Sequence, residues 1–463
     1  MAFYQKILDF INKKKLSPAQ FILGGFALAI LAGAVILCLP ICSADGSFTP
    51  FVDALFTATT SVCVTGLVTV STAFHWSVFG QFVILILIQL GGMGIVAVML
   101  MIMMILRKRI GMKNRILIQQ SYGLDSMQGV VTLLKRIVRG ILIVEFVGFL
   151  CYLPVLVPEF GPSGIWKALF LSVSAFCNAG MDLMGDNSLA NYVGNYWMNI
   201  VTIALIVLGG LGFVVWWEIV DFIKKCIRKK DHFRNLPKRL SLHAKIVFSM
   251  TFFLLLLGMI SVFICEYNNP ETLGNLSLPQ SLMASLFQSV TTRTAGFFTI
   301  SQSKLGDASS MVCMLLMFIG GSPSGTAGGV KTVTIAVLLY AIIAEARGNE
   351  DMVAFHRTIP SDYVRKGLTI VGYSFGIWVF FTILLCGVEH QSFMRICYET
   401  VSAIGTVGLS KDLTGTLHVA GKLIIICMMY AGRIGPVTLA TAFLMKDKPR
   451  DISHYADENI LIG

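Results

Sequence analysis

Charged residues are scarce in this chain of 463 residues, of which only 13% are Asp, Glu, Lys or Arg. A soluble globular domain carries about 25% charged residues, because its surface must face water. Here 56% of the residues are hydrophobic and the mean hydropathy is +0.77. The composition therefore argues against a soluble globule and indicates a protein embedded in a lipid bilayer.

The chain also lacks the residue spacings that mark metal, redox or nucleotide chemistry. Its 11 Cys include no Cys-x-x-Cys pair, and its 7 His include no i, i+4 pair. Zinc sites, disulfides and an intramembrane enzyme are therefore disfavoured. No glycine-rich nucleotide fingerprint or Walker lysine is present either, so we expect no cofactor in this chain. No cleavage site of a signal peptide follows the first apolar run, which is expected to be its own targeting signal.

Eight apolar runs are long enough to cross a bilayer, which takes about 20 helical residues. They lie at about 20–40, 78–106, 136–157, 196–223, 245–265, 309–345, 364–388 and 418–445. Most of the 36 Lys and Arg residues lie near the two termini or in the connections that follow the even-numbered runs. The positive-inside rule then predicts that both termini are cytoplasmic. This distribution explains the net charge of +11 by topology and lipid contact rather than by nucleic-acid binding.

Four glycines recur at near-equal intervals and divide the chain into four similar units. Each glycine ends a short segment, and the four segments are Val62, Cys63, Val64, Thr65 and Gly66; Phe176, Cys177, Asn178, Ala179 and Gly180; Thr292, Arg293, Thr294, Ala295 and Gly296; and Ile404, Gly405, Thr406, Val407 and Gly408. A short apolar run precedes each segment, at about 51–61, 164–175, 280–291 and 392–403. These runs are too short to cross a bilayer and suit half-membrane helices. A second glycine cluster follows each segment at a similar distance, namely Gly91-Gly92, Gly209-Gly210, Gly320-Gly321 and Gly432.

This pattern predicts an all-α integral membrane protein with four fused units, each made of an outer helix, a pore loop and an inner helix. The expected units cover residues 1–108, 109–230, 231–347 and 348–463. Extended backbone at membrane depth leaves carbonyls without partners, which is tolerated only where protein or a water-filled cavity receives them. Four such loops around one axis make a ring of carbonyl oxygens, the environment that replaces the hydration shell of a cation. Glycine suits the end of each loop because it adopts positive φ without a Cβ in the way.

The third inner run is interrupted by a glycine-rich segment. Its interruption spans 320–332 and contains Gly320, Gly321, Ser322, Pro323, Ser324, Gly325, Thr326, Gly328 and Gly329. Glycines and a proline in this density disfavour a continuous helix. The alternatives are a kink packed against neighbouring helices or a movable loop in the ion path.

Five charged residues near these segments are candidates for a role in permeation. Lys331 and Arg433 lie within apolar runs, where a charge is costly and faces a cavity or a partner. For Lys331 the alternative is a side chain that reaches interfacial water, and for Arg433 a structural ion pair. We expect Arg293 to point behind the third segment and to hold it through hydrogen bonds. Asp182 and Asp186 form either an acidic vestibule or ordinary solvated carboxylates.

In these motifs the chain resembles the Trk/Ktr/HKT superfamily of potassium transporters, and the bacterial Ktr membrane subunit more than the Trk subunit. The matching stretches are Val64–Leu67, Cys177–Met181, Arg293–Phe297, Gly405–Leu409 and Gly320–Thr332. The resemblance implies potassium uptake through a carbonyl-lined filter and a gate formed by 320–332, with Lys331 and Arg433 beside it. It also implies a homodimer in the bacterial plasma membrane that is regulated by a cytosolic KtrA-like octameric ring, which binds the nucleotide.

Two other modes of transport remain open at this stage. A sodium-coupled or sodium-permeable relative is the nearest alternative, although glycine at all four positions favours potassium by the same resemblance. An alternating-access carrier would have repeats in two halves with broken helices, whereas four units of similar length favour a central pore.

Overall fold

The computed structural model describes residues 18–94, 130–228, 236–435 and 438–439. Over these ranges the chain is mainly helical. The helices are α1 (Pro18–Leu37), α2 (Phe51–Cys63), α3 (Val78–Met93), α4 (Val130–Phe160), α5 (Ser163–Cys177), α6 (Tyr196–Gly210), α7 (Phe213–Ile227), α8 (Leu236–Arg239), α9 (Leu242–Glu266), α10 (Leu278–Thr291), α11 (Asp307–Ile319), α12 (Thr332–Ala346), α13 (Asp362–Val388), α14 (Phe393–Gly405) and α15 (Val419–Ile434). Two short strands, β1 (Met352–Ala354) and β2 (Arg357–Ile359), pair antiparallel.

Four of these helices, α1, α4, α9 and α13, are long and apolar enough to cross a membrane, and α6 with α7 adds a fifth crossing if the bent pair counts as one span. Their large apolar side chains remain exposed, as at Phe252 (70%), Ile383 (65%) and Phe146 (59%). Such surfaces suit contact with lipid tails rather than water. The chain is therefore a multi-pass membrane protein. Of the eight predicted crossings, the second and the eighth each extend beyond the described residues.

Polar caps begin several of the helices where the apolar runs start. The side chains of Ser77, Asn195 and Ser241 accept hydrogen bonds from the backbone amides of Gly80, Met198 and Ala244 at the starts of α3, α6 and α9. These bonds satisfy amides that have no partner within the helix. The caps thus help to fix where each apolar helix begins.

Helix packing arranges the four units in a closed ring. Within each unit, a long outer helix packs on a short pore helix: α1 on α2, α4 on α5, α9 on α10 and α13 on α14. Between units, each inner helix packs on the next pore helix: α3 on α5, α6 on α10, α11 on α14 and α15 on α2. The last of these contacts joins the fourth unit to the first. The four pore helices correspond to the short apolar runs predicted from the sequence.

Two features depart from the sequence prediction. The run at 196–223 was expected to be one continuous crossing, but α6 and α7 meet at an angle of 103°. The bend lies at Gly212, which has a φ of 92°, and the amide of Phe213 donates to the carbonyl of Ser324 instead of continuing the helix. The all-α prediction also misses the hairpin of β1 and β2, where Met352 and Ile359 are buried against α9 and α12.

Candidate ion pathway

The four glycine-ended segments share one backbone conformation. Two residues before each glycine, the chain takes the left-handed conformation, at Val64 (φ 56°), Asn178 (φ 60°), Thr294 (φ 69°) and Thr406 (φ 51°). The glycines themselves also have positive φ, at 100° for Gly66, 65° for Gly180, 86° for Gly296 and 96° for Gly408. A residue with a Cβ pays about 1 to 2 kcal/mol in this region. Its recurrence at four equivalent places means that the surrounding structure imposes it.

The four glycines lie side by side in a closed cycle. A Cβ added to any of them would meet the carbonyl oxygen of the residue that precedes a neighbouring glycine. These pairs are Gly66 with Ala179 (2.7 Å), Gly180 with Ala295 (2.8 Å), Gly296 with Val407 (2.6 Å) and Gly408 with Thr65 (2.3 Å). Real Cβ atoms do not approach other atoms this closely. The cycle therefore requires glycine and brings four backbone carbonyls together. We call these four segments the glycine ring.

Hydroxyl side chains of the pore helices hold the ring backbone in place. Thr60 Oγ1 accepts from the amide of Gly66 at 2.9 Å, and Ser402 Oγ accepts from the amide of Gly408 at 3.0 Å. Ser174 Oγ accepts from the amide of Met181 at 3.2 Å, and Thr291 Oγ1 donates to the carbonyl of Phe297. All four hydroxyl residues are fully buried. Each bond satisfies a peptide group that has no secondary-structure partner, so the peptides keep one orientation.

The second glycine clusters allow the inner helices to approach the ring. A Cβ at Gly91, Gly209 or Gly432 would lie 2.1 Å from the carbonyl oxygen of Val62, Phe176 or Ile404, respectively. Each carbonyl belongs to the first residue of a ring segment. In the third unit, Gly320 does not pack against a ring segment in this way. It has a φ of 60° and begins the break between α11 and α12. The loop of residues 320–331 forms this break, and we call it the intramembrane loop.

The intramembrane loop touches three of the four ring segments. Thr326 Oγ1 donates to the carbonyl of Phe176 at 3.3 Å, in the second segment. The amide of Gly328 donates to Thr294 Oγ1 at 3.3 Å, in the third. A Cβ at Gly328 would lie 2.0 Å from Thr406 Oγ1, in the fourth. The loop therefore lies directly against the ring.

The same loop is fastened to the bend between α6 and α7. The amides of Ser322 and Thr326 donate to the carbonyls of Gly210 and Gly209 at 3.0 and 3.1 Å. In return, the amide of Phe213 donates to the carbonyl of Ser324 at 2.9 Å. The bend in the second unit and the break in the third thus satisfy each other's backbone groups, which explains how both persist at membrane depth.

Two cationic side chains bind carbonyls of the intramembrane loop. Lys331 Nζ donates to the carbonyl of Ala327 at 2.6 Å, which is a bond within the loop. Arg433 Nη1 donates to the carbonyl of Thr326 at 2.5 Å, and Nη2 donates to the carbonyl of Gly91 on α3. Arg433 therefore links the loop to the inner helices of the fourth and first units.

The other charged candidates are placed differently from one another. Arg293 is buried and lines a cavity of about 10 Å³ with Thr251 and Gly321. Within the described part of the chain, its guanidinium makes none of the hydrogen bonds to the third segment that the sequence led us to expect. Asp182 is buried and accepts from Ser188 Oγ at 2.6 Å, whereas Asp186 is exposed. Burial raises the pKa of Asp182 to about 6.

Sequence reasoning missed two polar residues behind the ring. Glu145 lies in the middle of α4, is only 5% exposed, and accepts from Gln89 Nε2 at 2.9 Å. Both side chains also contact Cys177 of the second segment. One signal was available, because Glu145 is a lone acid inside the apolar run 136–157, and such residues are rarely neutral to function.

Comparison with known proteins identifies the family of this chain. Residues 31–454 match the family described as "TrkH: Cation transport protein". The chain belongs to this family. Its members are transport proteins, so the chain is not an enzyme.

Among the curated relatives, the chain is 38% identical to the potassium/sodium uptake protein NtpJ of Enterococcus hirae, over 97% of this chain and 98% of the relative. It is 39% identical to the Ktr system potassium uptake protein B of Bacillus subtilis, over 97% of both chains. The crystal structure of the potassium transporter TrkH from Vibrio parahaemolyticus has a similar fold, with a TM-score of 0.74. That likeness covers 93% of this chain and 86% of the solved one at 16% identity.

Proposed function

We propose that this chain takes up potassium ions through a filter formed by the glycine ring. The observation that carries the proposal is the closed cycle in which each ring glycine faces the carbonyl oxygen of a neighbouring segment. Relatives of similar length that are named as potassium uptake proteins support the choice of ion. In this proposal the four units correspond to residues 1–108, 109–230, 231–347 and 348–463, and the eight predicted runs cross the membrane.

The ring binds a cation through backbone oxygens rather than side-chain charges. Carbonyl oxygens that point to one axis replace the waters an ion loses on entering. All four pore helices, α2, α5, α10 and α14, end at or within ring segments, and the partial negative charge of a helix C-terminus also favours a cation. The ring residues Val62–Gly66, Phe176–Gly180, Thr292–Gly296 and Ile404–Gly408 form the proposed filter.

The intramembrane loop is the proposed gate. Its contacts with three ring segments support this role, because an ion that leaves the proposed filter on that side would meet the loop. Lys331 and Arg433 hold the loop by its carbonyls, and the positive charge of Arg433 opposes a cation nearby. Movement of the loop would break its hydrogen bonds to the α6–α7 bend and to Arg433. Opening therefore costs the free energy of these bonds.

The proposed assembly is a homodimer in the bacterial plasma membrane with both termini in the cytoplasm. The basic connections predicted to face the cytoplasm offer a surface for a cytosolic partner. A relative named as part of a Ktr system supports the existence of a partner subunit. The proposed partner is a KtrA-like octameric ring, which binds the regulatory nucleotide. Lipid surrounds the exposed apolar faces of the outer helices.

Sodium is the second candidate ion. The relative named as a potassium/sodium uptake protein supports a role for sodium as a coupled or permeating ion. Glycine at all four ring positions favours potassium by the resemblance described above. The two ions differ in the number and spacing of the oxygens that coordinate them. Flux measurements with each ion therefore show which one the ring prefers.

The test is ion uptake in cells that lack their own potassium transporters. We expect this chain to restore growth at low potassium and to take up rubidium as a tracer, with faster uptake when a KtrA-like subunit is co-expressed. The sodium concentration is varied independently. Rubidium uptake that requires sodium would show that transport is coupled to sodium. A correctly inserted chain that moves neither ion, with or without the partner, would contradict the proposal.

A further inference from the structure

The residue three places before each ring glycine is cysteine in the first and second units, arginine in the third and glycine in the fourth. These residues are Cys63, Cys177, Arg293 and Gly405. In the third unit, Arg293 lines a small cavity together with Thr251 of the outer helix. In the fourth unit, Gly405 lines one together with Ser374 of the outer helix. In the second unit, the outer helix instead presents a carboxyl group, Glu145, which makes direct contact with Cys177.

Glu145, Gln89 and Cys177 form a connected cluster, which we call the carboxyl cluster. Gln89 Nε2 donates to Glu145 Oε2 at 2.9 Å. Cys177 Sγ lies 3.7 Å from Glu145 Oε1 and 3.4 Å from Gln89 Oε1. The thiol can therefore donate a hydrogen bond to either oxygen. The cluster therefore joins the outer helix α4, the inner helix α3 and the second ring segment.

The thiol has little room to move away from this cluster. A Cβ added to Gly92 would lie 2.5 Å from Cys177 Sγ, so α3 packs directly on the sulfur. On the other side, Ser172 Oγ donates to the backbone carbonyl of Glu145 at 2.6 Å and fixes α4 against the pore helix α5. Cys177 is consequently held between a helix backbone and a buried carboxyl group, and the next residue, Asn178, begins the left-handed turn of the ring.

We propose that Glu145 is a positioning residue that sets the ion preference of the ring through Cys177. A shift of Cys177 changes where the following carbonyls point, and discrimination between two similar cations depends on the number and placement of those oxygens. The inference rests on the proposed filter function and adds a residue outside the ring to it.

The experiment measures the ratio of potassium to sodium flux in reconstituted full-length protein. Glu145→Leu removes the carboxyl, and Cys177→Ala removes the thiol while it leaves the carboxyl and Gln89 together. Each is expected to lower the ratio roughly 2- to 10-fold, the range that corresponds to one lost hydrogen bond. Because both changes break the same link, the double variant is expected to show no larger effect than either single one.

A rescue separates positioning from general packing. Gln89→Glu combined with Glu145→Gln exchanges the two side chains, keeps a carboxyl and an amide in the cluster, and is expected to restore most of the ratio. The matched control is Glu266→Gln, which alters a buried carboxyl at the C-terminal end of α9. Within the described residues, its hydrogen bonds come from Asn269, Thr272, Gly306 and Ser309 rather than from a ring segment. We expect the control to change thermal stability but not the flux ratio.

The outcomes distinguish this inference from the filter proposal. If Gly408→Ser lowers the ratio and folded Cys177→Ala and Glu145→Leu do not, only the positioning role is wrong. Additive effects of the two single variants would also overturn it. If Gly408→Ser itself keeps the wild-type ratio, the ring is not the filter and both proposals fall. Should Glu145→Leu fail to fold, Cys177→Ala alone decides.

Discussion

At the scale of single residues, each ring glycine has both a positive φ and no space for a Cβ, and only glycine satisfies both conditions. Val64, Asn178, Thr294 and Thr406 show that this fold can force a residue with a Cβ into positive φ. Space is the stricter limit, because a Cβ at Gly408 would lie 2.3 Å from the carbonyl oxygen of Thr65. Any side chain there must displace the neighbouring segment.

The first prediction is that Gly408→Ser lowers the preference for potassium over sodium, because the new Cβ pushes the carbonyl of Thr65 out of the ring. The strain of a Cβ at positive φ adds about 1 to 2 kcal/mol. Competitive flux of rubidium and sodium measures the effect. The matched control is Gly415→Ser, in an exposed turn of the same unit with nothing within 4 Å of the added Cβ. Equal ratios in the two variants would remove the ring from the selectivity mechanism.

The sequence predicted the ring glycines but not the geometry around them. Their spacing and their short apolar helices identified Gly66 and its three counterparts without a structure. The left-handed turns at Val64 and Thr406 have no local signal, because β-branched residues disfavour that conformation and only tertiary packing imposes it. Glu145 stands out in the sequence as a lone acid in an apolar run, but its link to the ring could not be predicted because its partners, Gln89 and Cys177, are distant in the sequence.

At the scale of elements, the intramembrane loop binds the ring and the α6–α7 bend at once. Our second prediction is that deletion of residues 322–329 raises ion flux and weakens the dependence on the cytosolic partner, because it removes the segment that touches three ring segments. Flux is measured in vesicles with and without the partner, on protein that elutes as a monodisperse peak. Unchanged or lost flux in such protein would count against gating.

Arg433 supports a narrower test of the same element. Arg433→Gln removes one positive charge and the bond to the Thr326 carbonyl, and two unit charges about 4 Å apart repel by roughly 4 kcal/mol at an effective dielectric constant of about 20. We therefore predict faster permeation with an unchanged ratio of potassium to sodium. A folded variant with slower flux would refute the barrier role, and a variant that no longer folds would show that Arg433 is mainly structural.

The elements were predicted with uneven success, and the failures have a common cause. The break in the third inner run carries its own glycines and proline, so the sequence reveals it. The bend at Gly212 depends on a hydrogen bond from Phe213 to Ser324 in another unit, which local patterns do not contain. The hairpin of β1 and β2 turns at Phe355 and His356, both with positive φ, and neither is a residue typical of such turns.

At the scale of the whole molecule, the glycine ring is complete only if the fourth unit packs against the first. Packing of α15 on α2 makes this closure, and one ion pair reinforces it. Lys422 Nζ on α15 lies 2.6 Å from Asp53 Oδ1 on α2, with side chains that are only 16% and 15% exposed. Both residues come from opposite ends of the chain, so the contact joins parts that no local interaction could hold together.

The last prediction is that breaking this pair loosens the closure. Asp53→Asn leaves the Lys422 ammonium largely buried without its partner, and the expected loss of stability is roughly 1 to 3 kcal/mol, below the value for a fully buried pair. Thermal unfolding in detergent measures it, and exchange of the two residues is expected to recover part of the loss. The control is Glu271→Gln, which breaks an exposed pair with Lys304 at 2.9 Å and should cost less than about 1 kcal/mol. If both variants unfold at the same temperature as the wild type, the ring closes through apolar packing and the ion pair contributes nothing to it.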